Sequence, residues 1–293
     1  LSQLEISKKL GVSRPTVSRL LQQARNAGIV RIEITDPSEV GTQLESALVK
    51  KYSLKKVVVV PNDTDDNKIV KKRLGKAAVL LVDQLISEGT ILGISWGTTM
   101  QQVARQIRTR RVKDMVVVQL NGGISRAELD THASEIAKTI GENYKAIPYL
   151  MPLPAVVDNA NLKKAILSDK NISRTLALGR KSEIALFTIG SFGYNSVLVK
   201  ADYFEPDEVD GLLKSGAVGD ICSRIIKSDG TICSEDLNGR TIGIELEELK
   251  NKQYSIAVAG GKEKLAAIKA GLNGKWFNSL ITDEWVATEL LRD

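Results

Sequence analysis

Cysteine is nearly missing from this chain: Cys222 and Cys233 are the only two, which excludes a disulfide scaffold and any zinc site built from four cysteines. Histidine is scarcer still. His132 stands alone, so neither histidine-based catalysis nor a metal site is expected. The longest apolar runs, such as Val57 to Val60 and Ile184 to Phe187, fall far short of the roughly 20 residues that cross a bilayer, and no signal peptide opens the chain. A cytoplasmic protein without a membrane partner is expected. The phosphate-cradling Gly-Lys-Ser/Thr and the dinucleotide pattern Gly-x-Gly-x-x-Gly do not occur in the expected contexts, which disfavours nucleotide binding, and no motif calls for a cofactor. Solenoid-period repeats and low-complexity tracts are also lacking.

What is present is a chain of 293 residues, 43% hydrophobic and 26% charged. That is enough to bury a sizeable core and too long for one small module, so two domains are expected. The net charge of +6 leans toward anionic partners, either nucleic acid or phosphorylated metabolites. The chain opens on Leu1 rather than methionine and reads at once as helix, from which a segment ahead of Leu1 is expected.

The first 36 residues read as helix, turn, helix and wing. Leu4, Ile6 and Leu10 share a helical face, Gly11-Val12-Ser13 makes a turn, and a longer helix runs from Arg14 to Ala27. Ser13 is placed to cap it and Pro15 falls in its first turn, where a missing N–H is harmless. Gly28 stops the helix. Val30, Ile32 and Ile34 then alternate with Arg31 and Glu33 as a strand does. Val17, Leu20 and Leu21 are spaced to pack on the preceding helix, leaving Arg14, Thr16, Arg19 and Gln23 outward. Arginine can chelate guanine and hydroxyls can reach phosphates or base edges, so Ser13, Arg14, Thr16, Arg19, Gln23, Arg25 and Arg31 are the candidate DNA-binding residues. The alternative is an ordinary helical hairpin with a solvated charged face. Local charge favours DNA: between Leu1 and Ile34, Lys8, Lys9, Arg14, Arg19, Arg25 and Arg31 oppose only Glu5 and Glu33.

Residues 37–55 read as a linker helix, and residues 56–293 as an effector-binding and oligomerisation domain. Its apolar runs Val57–Val60, Ile91–Ser95, Met115–Leu120, Ile184–Ile189, Ile256–Ala259 and Leu280–Thr282 are continuous rather than alternating. Strands covered on both faces are expected, hence a parallel, doubly wound α/β sheet. Val70, Leu74, Ala77, Leu81 and Leu85 predict a helix over 68–87, and the polar stretch 159–181 a helical insertion.

Ile91 to Ser95, the small-residue turn Trp96-Gly97-Thr98-Thr99 and the helical spacing of Met100, Val103, Ala104 and Ile107 together make strand, turn and helix N-terminus. There free N–H groups and two hydroxyls converge on an anion; otherwise Gly97 to Thr99 merely cap a helix. Three further stretches join glycine to polar groups at expected strand ends: Asn121-Gly122-Gly123, Gly219-Asp220 and Gly260-Gly261-Lys262-Glu263-Lys264. Strand carboxyl ends border the ligand crevice of a doubly wound sheet, so Asn121, Gly122, Gly123, Asp220, Gly260, Gly261 and Lys264 join Gly97, Thr98 and Thr99 as candidate effector-binding residues. Singly, each glycine pair reads equally well as a tight turn.

The motifs Ile94-Ser95-Trp96-Gly97-Thr98-Thr99-Met100, Gln119-Leu120-Asn121-Gly122-Gly123, Ala217-Val218-Gly219-Asp220-Ile221-Cys222 and Val258-Ala259-Gly260-Gly261, behind a helix-turn-helix, resemble the SorC family of bacterial sugar-binding transcriptional regulators, in particular its deoxyribonucleoside regulator branch. The resemblance spans essentially the whole chain. It implies operator DNA as partner, an effector domain similar to phosphosugar isomerases, a homotetramer, and a phosphorylated sugar that alters operator affinity. It further implies phosphate at Gly97, Thr98 and Thr99, sugar contacts at Asn121, and roles for Asp220 and Lys264. Relatives carry Lys or Arg where this chain has Asn121, so an aldehyde captured as an imine is not expected there and a non-covalent effector is. Two other readings compete: an isomerase or deaminase of the same fold, and a DNA-binding protein whose second domain only oligomerises. An isomerase needs a positioned proton shuttle, and Asp220 is the most obvious carboxylate near the expected crevice, which favours a regulator without catalytic residues.

Overall fold

The computed structural model describes residues 2–26, 39–64, 66–125 and 130–292. The chain divides into two compact units, 1–38 and 39–293.

In the first unit, helix α1 (Gln3–Leu10) starts at a capping box in which Ser2 Oγ accepts from the Glu5 amide while Glu5 accepts from the Ser2 amide. It ends at Gly11, whose φ of 65° suits the left-handed turn. Helix α2 (Arg14–Asn26) is capped as its sequence predicts: Ser13 Oγ accepts from the Thr16 amide at 3.3 Å. Val17 is buried and Leu21 half-buried, but Leu20 is exposed. The expected packing role of Leu20 is therefore wrong: three residues beyond Val17, it has turned past the edge of a narrow apolar stripe. The predicted wing, the Gly28 stop and Arg31 lie outside the described residues.

The second unit holds the strands β1 (Lys56–Val60), β2 (Ile91–Ile94), β3 (Val116–Gln119), β4 (Ile147–Tyr149), β5 (Ile184–Phe187), β6 (Ile189–Ser191), β7 (Ala217–Ile221), β8 (Arg224–Lys227), β9 (Tyr254–Val258) and β10 (Ser279–Asp283). Its helices begin with α3 (Glu39–Tyr52), α4 (Asn67–Leu85), α5 (Thr98–Gln106) and α6 (Ala133–Tyr144), followed by α7 (Ala160–Leu167) and α8 (Lys170–Lys181) in the predicted insertion. Short helices α9 (Val197–Lys200), α10 (Pro206–Lys214), α11 (Glu235–Arg240) and α12 (Leu246–Lys250) precede the closing pair α13 (Leu265–Asn273) and α14 (Glu284–Arg292).

Seven strands form one parallel sheet in the order β1-β10-β9-β5-β2-β3-β4. Both its faces are covered. Leu186 in β5 and Ile256 and Val258 in β9 share a core with Leu74 of α4, Met100 of α5 and Ile136 of α6. Their neighbours Ala185, Phe187 and Ala257 belong to a second core with Leu48 of α3, Ile268 of α13 and Val286 of α14. Such burial of successive residues on opposite faces is why the strands read as continuous apolar runs. Residues 37–55, read as a linker, thus include a helix whose Leu48 is fully buried within this unit.

A departure from the sequence reading fixes the site. The run Ile184–Ile189 is not one strand. After β5 the chain leaves the parallel sheet at Thr188 and continues as β6 in a small antiparallel sheet of order β6-β7-β8. The stretch Ala217–Ile221, expected to end a parallel strand, is the central strand of that sheet, with Asp220 opposite Gly190.

Candidate functional site

The parallel sheet reverses direction of growth between β2 and β5: from β2 the chain proceeds to β3 and β4 at one edge, and from β5 to β9 and β10 toward the other. Connections on opposite faces diverge at such a switch point and leave a crevice beyond the strand carboxyl ends. A cleft of about 140 Å³ lies there. Residues after β2 (Ser95 to Thr99), Asn121 after β3, Thr188 after β5, Gly190 and Ser191 of β6, Asp220 of β7, Lys264 and Lys71 all line it.

One wall is the start of α5. Gly97 occupies the cap position with φ 117°, a conformation reserved for glycine, and no side chain caps the first turn. Helices leave their first N–H groups unpartnered, and here that end opens on the cleft. Thr98 is exposed and Thr99 is buried, and both line the cleft. Trp96 is held by a hydrogen bond from its indole Nε1 to the Gly122 carbonyl at 2.7 Å.

The facing wall comes from the β7–β8 hairpin. Cys222 and Ser223 form its two-residue turn with φ of 49° and 69°, the pair of positive angles that a tight hairpin turn requires and that glycine or asparagine usually supplies. Left-handed backbone at two ordinary residues is a strained arrangement of the kind found at functional sites. It aims Ser223 Oγ at Asn121, whose Nδ2 donates to it at 2.9 Å, and the Ser223 amide at Asp220 Oδ2 at 3.2 Å. Arg224, almost fully buried, anchors the hairpin: its Nε donates to the Ile244 carbonyl at 2.8 Å, a terminal nitrogen donates to the Gly243 carbonyl at 3.1 Å, and the same nitrogen lies 2.8 Å from Glu245. Gly243 in turn bridges Asn121.

Asn121 is 2% exposed, and its Oδ1 has no hydrogen-bond partner. A buried acceptor left unpaired is costly, about 1–3 kcal/mol, and this one belongs to a residue on the wall of a cleft. Burial pushes the Asp220 carboxyl up to about 6, against the opposing effects of the Ser223 amide and Lys264. Lys264 donates to the Ile189 carbonyl at 2.7 Å and to Thr188 Oγ1 at 3.3 Å. Burial and the neighbouring Lys71 lower its ammonium to about 8, partly offset by Asp220 and Glu263.

Of the predicted effector residues, Gly97, Thr98, Thr99, Asn121, Asp220 and Lys264 come together in this cleft. Gly122, Gly123, Gly260 and Gly261 are not on its wall. A Cβ on Gly122 would stand 2.3 Å from the Pro154 carbonyl oxygen, and one on Gly260 2.4 Å from Asp283 Oδ2. The Gly261 amide donates to that same Asp283 oxygen at 2.6 Å. These glycines allow close packing behind the site. The sequence reading missed Lys71, Thr188, Ser191, Asn195, Ser196 and Ser223. Only the polar cluster Ser191 to Ser196 carried a local signal, since the others arrive from separate elements.

His132 lies outside this cleft, with Nδ1 at 2.9 Å from Glu135 and 3.2 Å from Asp130. These three are the one group among the described residues with ligand atoms close enough to share a metal ion. In the first unit, Arg14, Arg19 and Gln23 are exposed and Thr16 is half-buried. Ser13 and Thr16 join their hydroxyls at 2.9 Å, so Ser13 serves as the helix cap. Arg25 and Arg31 have no described side chain. No helix among the described residues is long and apolar enough to cross a membrane.

Residues 36–292 match the Sugar-bind family of sugar-binding domains, and residues 1–31 the winged helix-turn-helix DNA-binding family. The chain is 41% identical to the deoxyribonucleoside regulator of Bacillus subtilis, covering 100% of this chain and 93% of that protein. It is 30% identical to the sorbitol operon regulator of Klebsiella pneumoniae, again over 100% of this chain and 93% of the relative. The crystal structure of the full-length sorbitol operon regulator SorC from Klebsiella pneumoniae superposes with a TM-score of 0.79 at 28% identity, covering 99% of this chain and 94% of that one. A domain of a sugar-binding transcriptional regulator from Arthrobacter aurescens gives 0.80 at 29% identity, covering 88% and 100%.

Proposed function

This chain belongs to the SorC family of sugar-binding transcriptional regulators, and from that premise we propose that it controls a carbohydrate or nucleoside catabolic operon in response to a phosphorylated sugar held non-covalently in the switch-point cleft. The observation that carries the reading is the buried, unpartnered Asn121 Oδ1 on the cleft wall. It needs a donor, and a sugar hydroxyl supplies one. The opposite wall offers the uncapped start of α5 and the Thr98 and Thr99 hydroxyls, a setting that favours a phosphoryl group. Asp220 and Lys264 are left to hold hydroxyls and phosphate oxygens.

The amide of Asn121 cannot form an imine, so the effector is bound as such. Lys264 Nζ donates to the Ile189 carbonyl and Thr188 and keeps its third N–H for the effector, a role that calls for the protonated ammonium rather than an imine-forming amine. In the first unit Arg14, Thr16, Arg19 and Gln23 contact base edges and phosphates of an operator, Arg25 and Arg31 add phosphate contacts, and the operator is palindromic or repeated because the regulator is a homotetramer. Effector binding changes operator affinity by a coupling of about 1–3 kcal/mol. A regulator suits the cleft better than an isomerase does: the chain's only imidazole lies elsewhere, within hydrogen-bond distance of Glu135, and Asp220 is the one carboxylate on the wall among the described residues.

The test is a mobility-shift titration of operator DNA with the full chain against a panel of sugar phosphates and their unphosphorylated sugars. A change in operator affinity with phosphorylated members alone is expected; no response to any member refutes the effector role. Borohydride treatment with aldehyde phosphates, followed by intact mass, should give no adduct, and a stable adduct on a cleft lysine refutes non-covalent binding.

A further inference from the structure

Lys71 is absent from every motif in the sequence, yet it lines the cleft. It lies in α4, which packs tightly on α5: Gly75, one turn beyond Lys71, has no room for a Cβ, which would stand 2.9 Å from the backbone of Gln102, one turn beyond Thr98. Both helices follow parallel strands, β1 and β2, so both begin at the carboxyl end of the sheet. The side chain of Lys71 is therefore delivered beside the uncapped first turn of α5.

From within the same cleft, the ammonium of Lys71 acts on that of Lys264, lowering its proton affinity. No described carboxylate forms an ion pair with Lys71. Two ammonium groups and a helix N-terminus thus converge on one small space, answered on the cleft wall by a single carboxylate among the described residues, Asp220, which burial itself pushes toward the neutral form. Like charges so arranged repel until an anion joins them, and a doubly charged anion relieves them more than a singly charged one.

We infer that Lys71 is a further effector-binding residue, reaching from α4 to the phosphoryl group at Gly97 to Thr99 and making the cleft selective for a dianion over a monoanion. This rests on the cleft being the phosphate site, and the experiment separates the two. Sulfate and methanesulfonate both present three oxygens of a tetrahedral group, the fourth position being an oxygen in one and a methyl in the other; their charges are minus two and minus one, and neither titrates near neutrality. Binding of each to the full chain is followed by tryptophan fluorescence, since Trp96 lines the cleft, at constant ionic strength and pH 7.

The wild-type protein should prefer sulfate by about tenfold or more, as expected for one additional charge-assisted contact. Lys71→Met and Lys71→Gln should bind both ions to within about twofold of each other, and Lys71→Arg should restore much of the preference. If Lys71→Met and Lys71→Gln keep the wild-type preference while Thr98→Val with Thr99→Val loses both ions, the phosphate site stands and the role of Lys71 is overturned. If the wild type binds neither ion, the site itself is overturned and the inference falls with it.

Discussion

Asp220→Asn should stabilise the protein at neutral pH and leave it unchanged in acid. The wild-type carboxyl is raised from 3.8 to about 6, chiefly by burial. Between those values the folded chain holds a proton that the unfolded chain has released, so stability falls as pH rises through the window and the penalty is complete by about pH 7. At 1.36 kcal/mol per pKa unit the shift amounts to about 3 kcal/mol. The attraction of Lys264 is already contained in this net shift, and the partial exposure of Asp220 screens part of the remainder, which leaves about 2 kcal/mol. Asparagine keeps the shape and an oxygen able to accept from the Ser223 amide. For a unit of this size the gain corresponds to a rise of about 4–8 °C in melting temperature at pH 7. Thermal and urea unfolding at pH 7 and pH 4, wild type against variant, measure it. No gain at pH 7, or a gain that persists at pH 4, refutes the assignment of a charge held in the cleft at the expense of stability. The same variant should weaken effector binding, the trade expected of a functional group.

Thr98→Val with Thr99→Val should abolish the response to sugar phosphates while operator affinity without effector stays at the wild-type value; each lost bond to a charged group is worth about 1.5–3 kcal/mol, and a mobility-shift titration reads the outcome. Gly122→Ala places a methyl group 2.3 Å from the Pro154 carbonyl, so a loss of about 1–3 kcal/mol in urea unfolding is expected; an unchanged midpoint contradicts the packing role given to this glycine. Arg14→Gln and Arg19→Gln should each lower the salt dependence of operator binding by about one unit of logarithmic slope if the side chain meets a phosphate. A slope unaltered in both variants places neither arginine on the backbone.

The amino-acid sequence alone determined the elements whose signals are local. The Ser13 cap and Gly11 turn frame α2 because capping depends on residues three positions apart. The continuous runs Val57–Val60 and Ile256–Ala259 gave parallel strands because two covered faces leave no polar alternation. Gly97 to Thr99 marked one wall of the cleft because a small-residue turn between a strand and a helix exposes backbone donors. Tertiary structure decided the rest. Whether Gly122 and Gly260 bind a ligand or admit a neighbouring carbonyl or carboxylate depends on Pro154 and Asp283, which are remote in sequence. The break at Thr188 escaped detection because Ile184–Ile189 is apolar throughout, and only the pairing of β6 with β7 divides it between two sheets. Asn121, Ser223 and Lys71 meet across elements up to 152 positions apart in the numbering, 71 to 223. No periodicity encodes that meeting: it follows from the reversal of the sheet at β2 and β5, where the fold leaves a crevice and brings these polar side chains to its walls.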